Sequence, residues 1–568
     1  MRALALILTS LMGGGVDLAW AACDPSLPCW PTEAEIAELE RALDPSSDRS
    51  GLLRPNPAKP AEGGSPYPAG IPIYSPDDQA LYGYDVTDLR PLYLNNETLS
   101  SVCFSSSFLP ESRPICFAST RNNPMSGTPG FVAFPTDAAQ VQAALNFAKD
   151  HDLCLSVLGT GHDFLDRHSS CEFGFLIRTS LLKGMALDAS SKSVKLGAGL
   201  TFSEVQEYLA PDYYVASGWS VTVGILGWSI GGGHGPFGPS AGLGVDNVLS
   251  FDIVIADGSI LTCDKDTNSD LFWAVRGGGG STWGIITSLT LQVHSLPEGG
   301  ATLFRFYNAG SFCGDGKATF EKSVEEYISI LPDMDERWSG LTFIDPTASD
   351  DPSYCGLAFS VFAQYVFLGP ESDAKEIVDK IAAVGLPMYE SITINDWDKD
   401  YVKQADPEYL MPVPYMLASN SSVGGVPSVL VSRSKNAALS TGIKERFSNC
   451  AELGLTIDGL CSRVEIYHDI TGNSKSEFSA EAVSVTRDMR TALYHVVGGG
   501  SHKTMDRWYE LLGDHCYQNE CAYEISEEAG GWKKRIFGEQ YEPLMEIKEK
   551  YDPQGLFRCR HCIGDEEQ

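Results

Sequence analysis

Residues 226–238, LGWSIGGGHGPFG, satisfy two unrelated catalytic patterns. Gly227, Ser229 and Gly231 fit G-x-S-x-G, the elbow that presents a nucleophilic serine. Gly233, Gly235 and Gly238 fit G-x-G-x-x-G, the turn at which a helix N-terminus meets a dinucleotide pyrophosphate. Each pattern needs a context. A serine elbow requires a helix directly after the serine, but Ile230 is followed by Gly231, Gly232 and Gly233, and each glycine costs a helix about 1 kcal/mol against alanine. The dinucleotide turn requires a βαβ unit with a downstream acid for the ribose, and Gly238 leads into PSAGLG instead. The stretch is therefore neither a hydrolase nor a nicotinamide signature.

Two further glycine loops give it another meaning. In residues 157–164, VLGTGHDF, Gly159 and Gly161 let the chain turn so that successive N–H groups point at one anion, with His162 beside it. In residues 276–284, RGGGGSTWG follows the helical stretch DLFWAV. Three such loops in one unit describe a wrapped cofactor better than a single bound phosphate.

The elements that must hold these loops are legible as patterns. FVAFP and LCLSVLG are short apolar strands around DAAQVQAALNFAKDHD, which has helical apolar spacing and Asp137 at its start as a cap. FLIRTS, SVKLGAG, DIVIADGSILTC and IITSLTLQVH continue as strands, so 125–296 is expected to be one α+β unit. Beyond it, 297–505 mixes amphipathic helices (GKATFEKSVEEYISIL, ESDAKEIVDKIAAVG) with strands such as GLAFSVFAQYVFLG, predicting an antiparallel sheet backed by helices. Residues 506–568 close the chain with helical patterns, and 23–124 form an N-terminal extension whose first part, 23–80, is read as an extended, loosely packed lead-in.

Length and charge bound the function. A chain of 568 residues exceeds one compact core. A net charge of −34 repels phosphate, which argues against nucleic acid or an anionic membrane as partner. Residues 1–22 read as a secretory signal peptide, with a basic start, a short apolar run and small residues at Ala19 and Ala21. All 15 cysteines follow it, as suits an oxidising compartment. Cys23/Cys29, Cys103/Cys116, Cys450/Cys461, Cys516/Cys521 and Cys559/Cys562 are spaced to close short loops, and Cys154 is the expected buried free thiol. Without a second C-x-x-C, no metal site is expected at Cys559 and Cys562. Asn96 and Asn420 head glycosylation sequons.

GTGHDF, VTVGILGWSIGGGHG, DNVLSFDIVIADGS and DLFWAVRGGGGSTWGIIT occur in an order and spacing that resembles the FAD-linked oxidases of the vanillyl-alcohol oxidase/p-cresol methylhydroxylase (PCMH) type. The C-terminal WKKRIFGEQYEPLMEIKEKYDPQGLF looks like the closing segment of their berberine-bridge-enzyme-like branch. The resemblance implies a two-subdomain PCMH-type FAD-binding domain with an α+β substrate domain. It implies that His162 carries the flavin covalently, raising its reduction potential, and that Gly159, Thr160, Gly161 and Asp163 cradle the pyrophosphate or neighbouring groups. It also implies that Val223, Gly224, Gly227, Ser229, Gly231, Gly232, Gly233, Gly284 and Ile285 lie against the cofactor. Two departures stand out. Leu158 occupies a position that is often basic, and Ser220-Val-Thr-Val-Gly224 replaces the C-P-T-V-G segment that bears a second flavin link, so one covalent link is expected.

Hydride removal from an alcohol needs a base for the hydroxyl proton. Tyr517-Gln-Asn519 matches the Y-x-N segment that bears the catalytic tyrosine in several carbohydrate and polyketide-sugar members, and its pKa is expected to be lowered by nearby cations or flavin charge. The glutamate base of alkaloid-processing members has no recognisable counterpart. Tyr365, Gln364 and Tyr467 are pocket candidates from strand alternation alone. The expectation is a secreted, monomeric FAD oxidoreductase acting on a small-molecule oligosaccharide, phenolic or polyketide alcohol. The resemblance makes dioxygen the expected acceptor, because Val223 matches a position where family oxidases tend to have a small residue that leaves it access. A dehydrogenase with another acceptor and a catalytically idle flavin-binding protein are the alternatives.

Overall fold

The computed structural model describes residues 23–43, 52–53, 101–105, 114–118, 130–348, 357–394, 428–453, 463–498, 502–521 and 531–565, apart from 164, 166, 169–172, 221–222, 296, 472–473, 475–477 and 480. The signal-peptide reading and both sequons lie outside them.

The first sheet begins with β1 (Phe131–Ala133), crosses through α1 (Ala138–Asp150), and continues with β2 (Leu155–Leu158) and β3 (Phe175–Arg178). The three strands are parallel with β3 in the middle, and Leu52–Leu53 adds an antiparallel edge to β1. The Asp137 carboxylate accepts the Gln140 N–H at 2.9 Å, which caps α1. Val141, Ala144, Leu145 and Ala148 form its buried stripe. The loosely packed lead-in is corrected here. Glu33–Leu43 is a helix, and its Ile36, Leu39 and Leu43 join the same core as α1.

The second sheet contains β4 (Met185–Asp188), β5 (Ser193–Gly197), β6 (Val248–Val254), β7 (Ile260–Asp264) and β8 (Ile285–Gln292). Their order is β7-β6-β8-β5-β4, antiparallel throughout. Helices α2 (Phe202–Leu209) and α3 (Ile225–Ile230) lie between β5 and β6, and α4 (Ser269–Gly278) lies between β7 and β8.

The third sheet has seven antiparallel strands: β9 (Ala301–Ser311), β10 (Trp338–Ala348), β11 (Leu357–Leu368), β12 (Met388–Ile394), β13 (Ser428–Ser432), β14 (Val464–His468) and β15 (Ala492–Gly498). They run in the order β12-β9-β11-β10-β14-β15-β13. Helices α5 (Gly316–Ile330), α6 (Glu371–Ala383), α7 (Asn436–Leu453) and α8 (His502–Leu512) back one face. The other face presents Leu341, Phe343 and Val366 to Trp219 and Phe237, so the two halves of the molecule share an apolar seam. Helices α9 (Gly531–Phe537) and α10 (Tyr541–Tyr551) return to the first half, where Tyr551 Oη donates to Asp270 of α4 at 2.9 Å.

Disulfides join Cys23 to Cys29, Cys516 to Cys521 and Cys559 to Cys562. Cys103 and Cys116 sit opposite each other in the antiparallel pair Ser101–Ser105/Pro114–Ala118, while Cys461 is outside the described residues. The expected free thiol is corrected: Cys154 is disulfide-bonded. Among the described residues the free cysteine is Cys263 of β7, where burial and then Asp270 push the thiol pKa up to about 12, leaving it inert.

Candidate functional site

One cavity opens between the glycine loops of the first half and the uncovered face of the seven-stranded sheet. Gly159, Thr160, Gly161, His162 and Asp163 line it from the loop after β2, Val223, Gly224 and Gly227 from the start of α3, and Gly284 and Ile285 from the start of β8. Its backbone is bared where a cofactor would need close approach. A Cβ on Gly227 would meet no protein atom within 4 Å, and one on Gly159 or Gly280 would come no closer than 3.8 and 3.7 Å. Ser229, Gly231, Gly232 and Gly233 depart from expectation, because none of them lines the cavity. Ser229 is buried within α3, not on an elbow. The three glycines face protein: Cβ atoms there would meet Asn519 at 2.6 Å, Tyr517 at 3.0 Å and Gly244 at 2.8 Å. Gly231 and Gly232 are small so that the C-terminal segment can close, and Gly233 so that the chain can pass Gly244.

This contrast is testable. A Cβ on Gly235 would meet the Ser217 carbonyl oxygen at 1.9 Å, so Gly235→Ala lowers stability by about 1–3 kcal/mol, read from a urea midpoint. Gly227→Ala, in open space, leaves that midpoint unchanged and reduces bound flavin per chain instead.

A hydrogen-bond chain joins the His162 loop to Tyr517. Thr160 Oγ1 accepts the Gly224 N–H at 3.0 Å, locking two glycine loops together. Asp163 does not offer its carboxylate to a cofactor. It accepts the Arg167 N–H at 2.7 Å and the Arg167 guanidinium, and burial's upward push on its pKa is overcome by Arg167, which holds the carboxyl below its usual range. Arg167 Nη2 also donates to Asn519 Oδ1 at 2.6 Å, and Asn519 Nδ2 donates to Tyr517 Oη at 3.0 Å. The Gly233 N–H donates to the same oxygen at 3.3 Å. The expected lowering of the Tyr517 pKa is corrected: burial first, then Glu520, push it up and outweigh these donors.

Beside Tyr517 lies a cluster that sequence reasoning passed over. The His234 ring meets Tyr517 edge-on at 4.8 Å. Its Nδ1 lies 2.7 Å from Asp469 Oδ2, which also accepts from Trp219 Nε1 at 2.8 Å. Its Nε2 lies 3.7 Å from Glu520 Oε1. Burial alone would lower the imidazole pKa, but Asp469 and then Glu520 hold it up at about 10. His234 lines the cavity together with Glu520.

The sheet supplies the remaining wall. Arg463, Glu465 and Tyr467 alternate along β14 and face the cavity, while Val464 and Ile466 face the helices. Tyr467 Oη donates to Glu465 Oε2 at 2.7 Å, and Arg463 Nε donates to Asp345 at 2.6 Å. Burial raises the Glu465 pKa against the pull of Arg463. A cavity glutamate thus exists where none was recognised; the signal was this polar alternation inside an apolar strand. Tyr467 is a wall residue as expected. Gln364 and Tyr365 are not, and as strand neighbours they point to opposite faces. Gln364 accepts from Arg305 at 3.0 Å, and Tyr365 is buried against α5, its hydroxyl 2.6 Å from that of Tyr327.

Bared glycine backbone on three loops, with His162 among them and an acid- and tyrosine-lined wall opposite, suits a long cofactor. Residues 129–264 match the FAD binding domain family, and residues 516–564 match the family described as berberine and berberine like. An uncharacterized FAD-linked oxidoreductase of Arthroderma benhamiae is 31% identical over 456 residues, 75% of this chain and 75% of that protein. The VAO-type flavoprotein oxidase VAO615 of Thermothelomyces thermophilus is 25% identical over 577 residues, 95% of this chain and 92% of that protein. The crystal structure of VAO-type flavoprotein MtVAO615 from Myceliophthora thermophila C1 has a TM-score of 0.67 at 21% identity, over 96% of this chain and 97% of that one. Xylooligosaccharide oxidase from the same organism, in complex with xylobiose, has a TM-score of 0.61 at 19% identity, over 79% and 97%. The chain belongs to the FAD-linked oxidoreductases of the VAO type, in the berberine-bridge-like branch. Enzymes of this family act on small-molecule substrates. Among the described residues no helix is long and apolar enough to cross a membrane.

Proposed function

We propose that the protein is a secreted, monomeric oxidase of an alcohol-type carbon, with FAD on a single covalent link through His162 and dioxygen as the acceptor that yields hydrogen peroxide. The observation that carries this reading is the chain Asp163–Arg167–Asn519–Tyr517, which fixes a phenol oxygen in the cavity that His162 lines. Bound FAD supplies the hydride acceptor. Tyr517 orients the substrate hydroxyl and takes its proton as its own phenol proton passes to Glu520, with the N–H groups of Gly233 and Asn519 holding the phenol oxygen in place. Glu520, whose charge is felt at the phenol and which lines the same cavity, accepts that proton. Val223 at the cavity wall is small and leaves a path for dioxygen, which favours an oxidase over a dehydrogenase.

Phe343, Tyr467, Val497 and Trp219 line the same cavity and suit the flat apolar body of a phenolic or polyketide alcohol. Oligosaccharides stay in the substrate screen because xylooligosaccharide and chitooligosaccharide oxidases share the fold. The disulfides suit an oxidising compartment.

The test is a peroxide readout across both alcohol classes, with and without an artificial electron acceptor. Acid precipitation of wild type and His162→Ala accompanies it. The wild-type pellet stays yellow, His162→Ala releases its colour, and peroxide forms without added acceptor. Turnover only with the artificial acceptor would make the protein a dehydrogenase, and a colourless wild-type pellet would remove the covalent link.

A further inference from the structure

We propose that His234, His495 and Glu520 form a binding site for a divalent cation of the zinc class in the wall of the cavity. One ligand atom from each of the three lies within 4.8 Å of the others. Glu520 stands between the imidazoles, Oε2 at 3.2 Å from His495 Nε2 and Oε1 at 3.7 Å from His234 Nε2. Ligands about 2.0–2.2 Å from a tetrahedral ion are themselves about 3.3–3.6 Å apart, so the set needs only a small contraction to close on one.

Three independent features point to a cation. The first is the support behind His234. Asp469 holds Nδ1 and is itself held by Trp219, which fixes the ring and aims Nε2 at Glu520. A carboxylate behind a histidine is the usual outer support of a ligating imidazole. The second is His495, which is fully buried in β15 with no hydrogen bond at either ring nitrogen. Its 3.2 Å approach to Glu520 is misdirected for one, and the rings of His234, Tyr467 and Tyr517 surround it at 4.6–5.4 Å. A buried imidazole left so is costly unless its lone pair is used. The third is charge. Asp345 and Glu465 pair with Arg463, while Asp469 and Glu520 both face His234, so four carboxylates line this wall. A proton on His234 would answer part of that excess but would leave His495 unpaired; a cation answers both.

Two nitrogens and one carboxylate oxygen suit zinc, and three protein ligands leave one position open. His234 and Glu520 line the cavity, so that position faces a substrate hydroxyl. The inference does not depend on the identity of the substrate or the electron acceptor.

The test uses untagged holoprotein, stripped with chelator and dialysed against micromolar zinc in excess magnesium, with metal read by elemental analysis. Wild type holds one equivalent per chain. His495→Gln and Glu520→Gln lose it while keeping flavin absorbance and melting temperature. Asp469→Asn binds about 10–100-fold more weakly. His294→Gln, remote from the site, is unchanged. Either ligand variant suffices if the other does not fold. Wild type without zinc above the magnesium background, or retention of zinc in the ligand variants, would overturn the proposal.

Discussion

Tyr517→Phe lowers the rate of the anaerobic reductive half-reaction by about 10²–10⁴-fold, the usual worth of a positioned acid–base group, and changes substrate affinity little. The phenol oxygen receives two N–H groups, from Gly233 and Asn519, so its own proton has one remaining direction, into the cavity. Phenylalanine keeps the ring that packs against Gly232 and His234 and removes only the oxygen. Because burial and Glu520 raise the Tyr517 pKa, the resting group is a phenol, and it takes the substrate's proton only as its own passes to Glu520. Asn519→Ala therefore gives a smaller loss than Tyr517→Phe, since it removes one donor and leaves the oxygen. Stopped-flow reduction by the best alcohol of the substrate screen reads both. A rate unchanged in Tyr517→Phe would remove the tyrosine from the mechanism.

How much of this was legible depended on whether a feature is local. The capped helix from Ala138 and the loop holding His162 each arise from a few adjacent residues and form as read, whereas DIVIADGSILTC, read as a strand, folds back at ADGS into two. The helix Glu33–Leu43 was equally local and was missed, although Thr32 and Glu35 spell a capping box with apolar residues at 36, 39 and 43 behind it. Gly231–Gly233 also departed from the reading. A glycine run marks close approach without saying to what, and here the close neighbours are Asn519, Tyr517 and Gly244. The acid–histidine wall is the least local feature. His234, Glu465, Asp469, His495 and Glu520 come from four separated segments, and nothing in any one segment shows that the chain brings them together.

Lys548→Met destabilises the protein by about 3–5 kcal/mol and releases the cofactor loop from its anchor. Lys548 is buried in α10, and its ammonium donates at 2.6 Å to each of three acceptors: the carbonyls of Thr282 and Phe557 and the Asp552 carboxylate. Burial lowers its pKa and Asp552 opposes the shift, so the charge persists only because every acceptor is in place. Thr282 belongs to the loop whose Gly280, Ser281 and Gly284 line the cavity, so one side chain ties the C-terminal segment to the cofactor wall. Methionine preserves length and helix propensity but leaves Asp552 with only the N–H groups of Leu556 and Phe557. Lys548→Met/Asp552→Asn therefore recovers part of the loss, because the stranded charge is gone while the Thr282 contact stays broken. Urea unfolding of the three proteins measures stability, and flavin absorbance per chain reports the loop. A single-mutant loss below about 1 kcal/mol would mean that water replaces the ammonium at the three acceptors, and the anchoring role of α10 would fail with it.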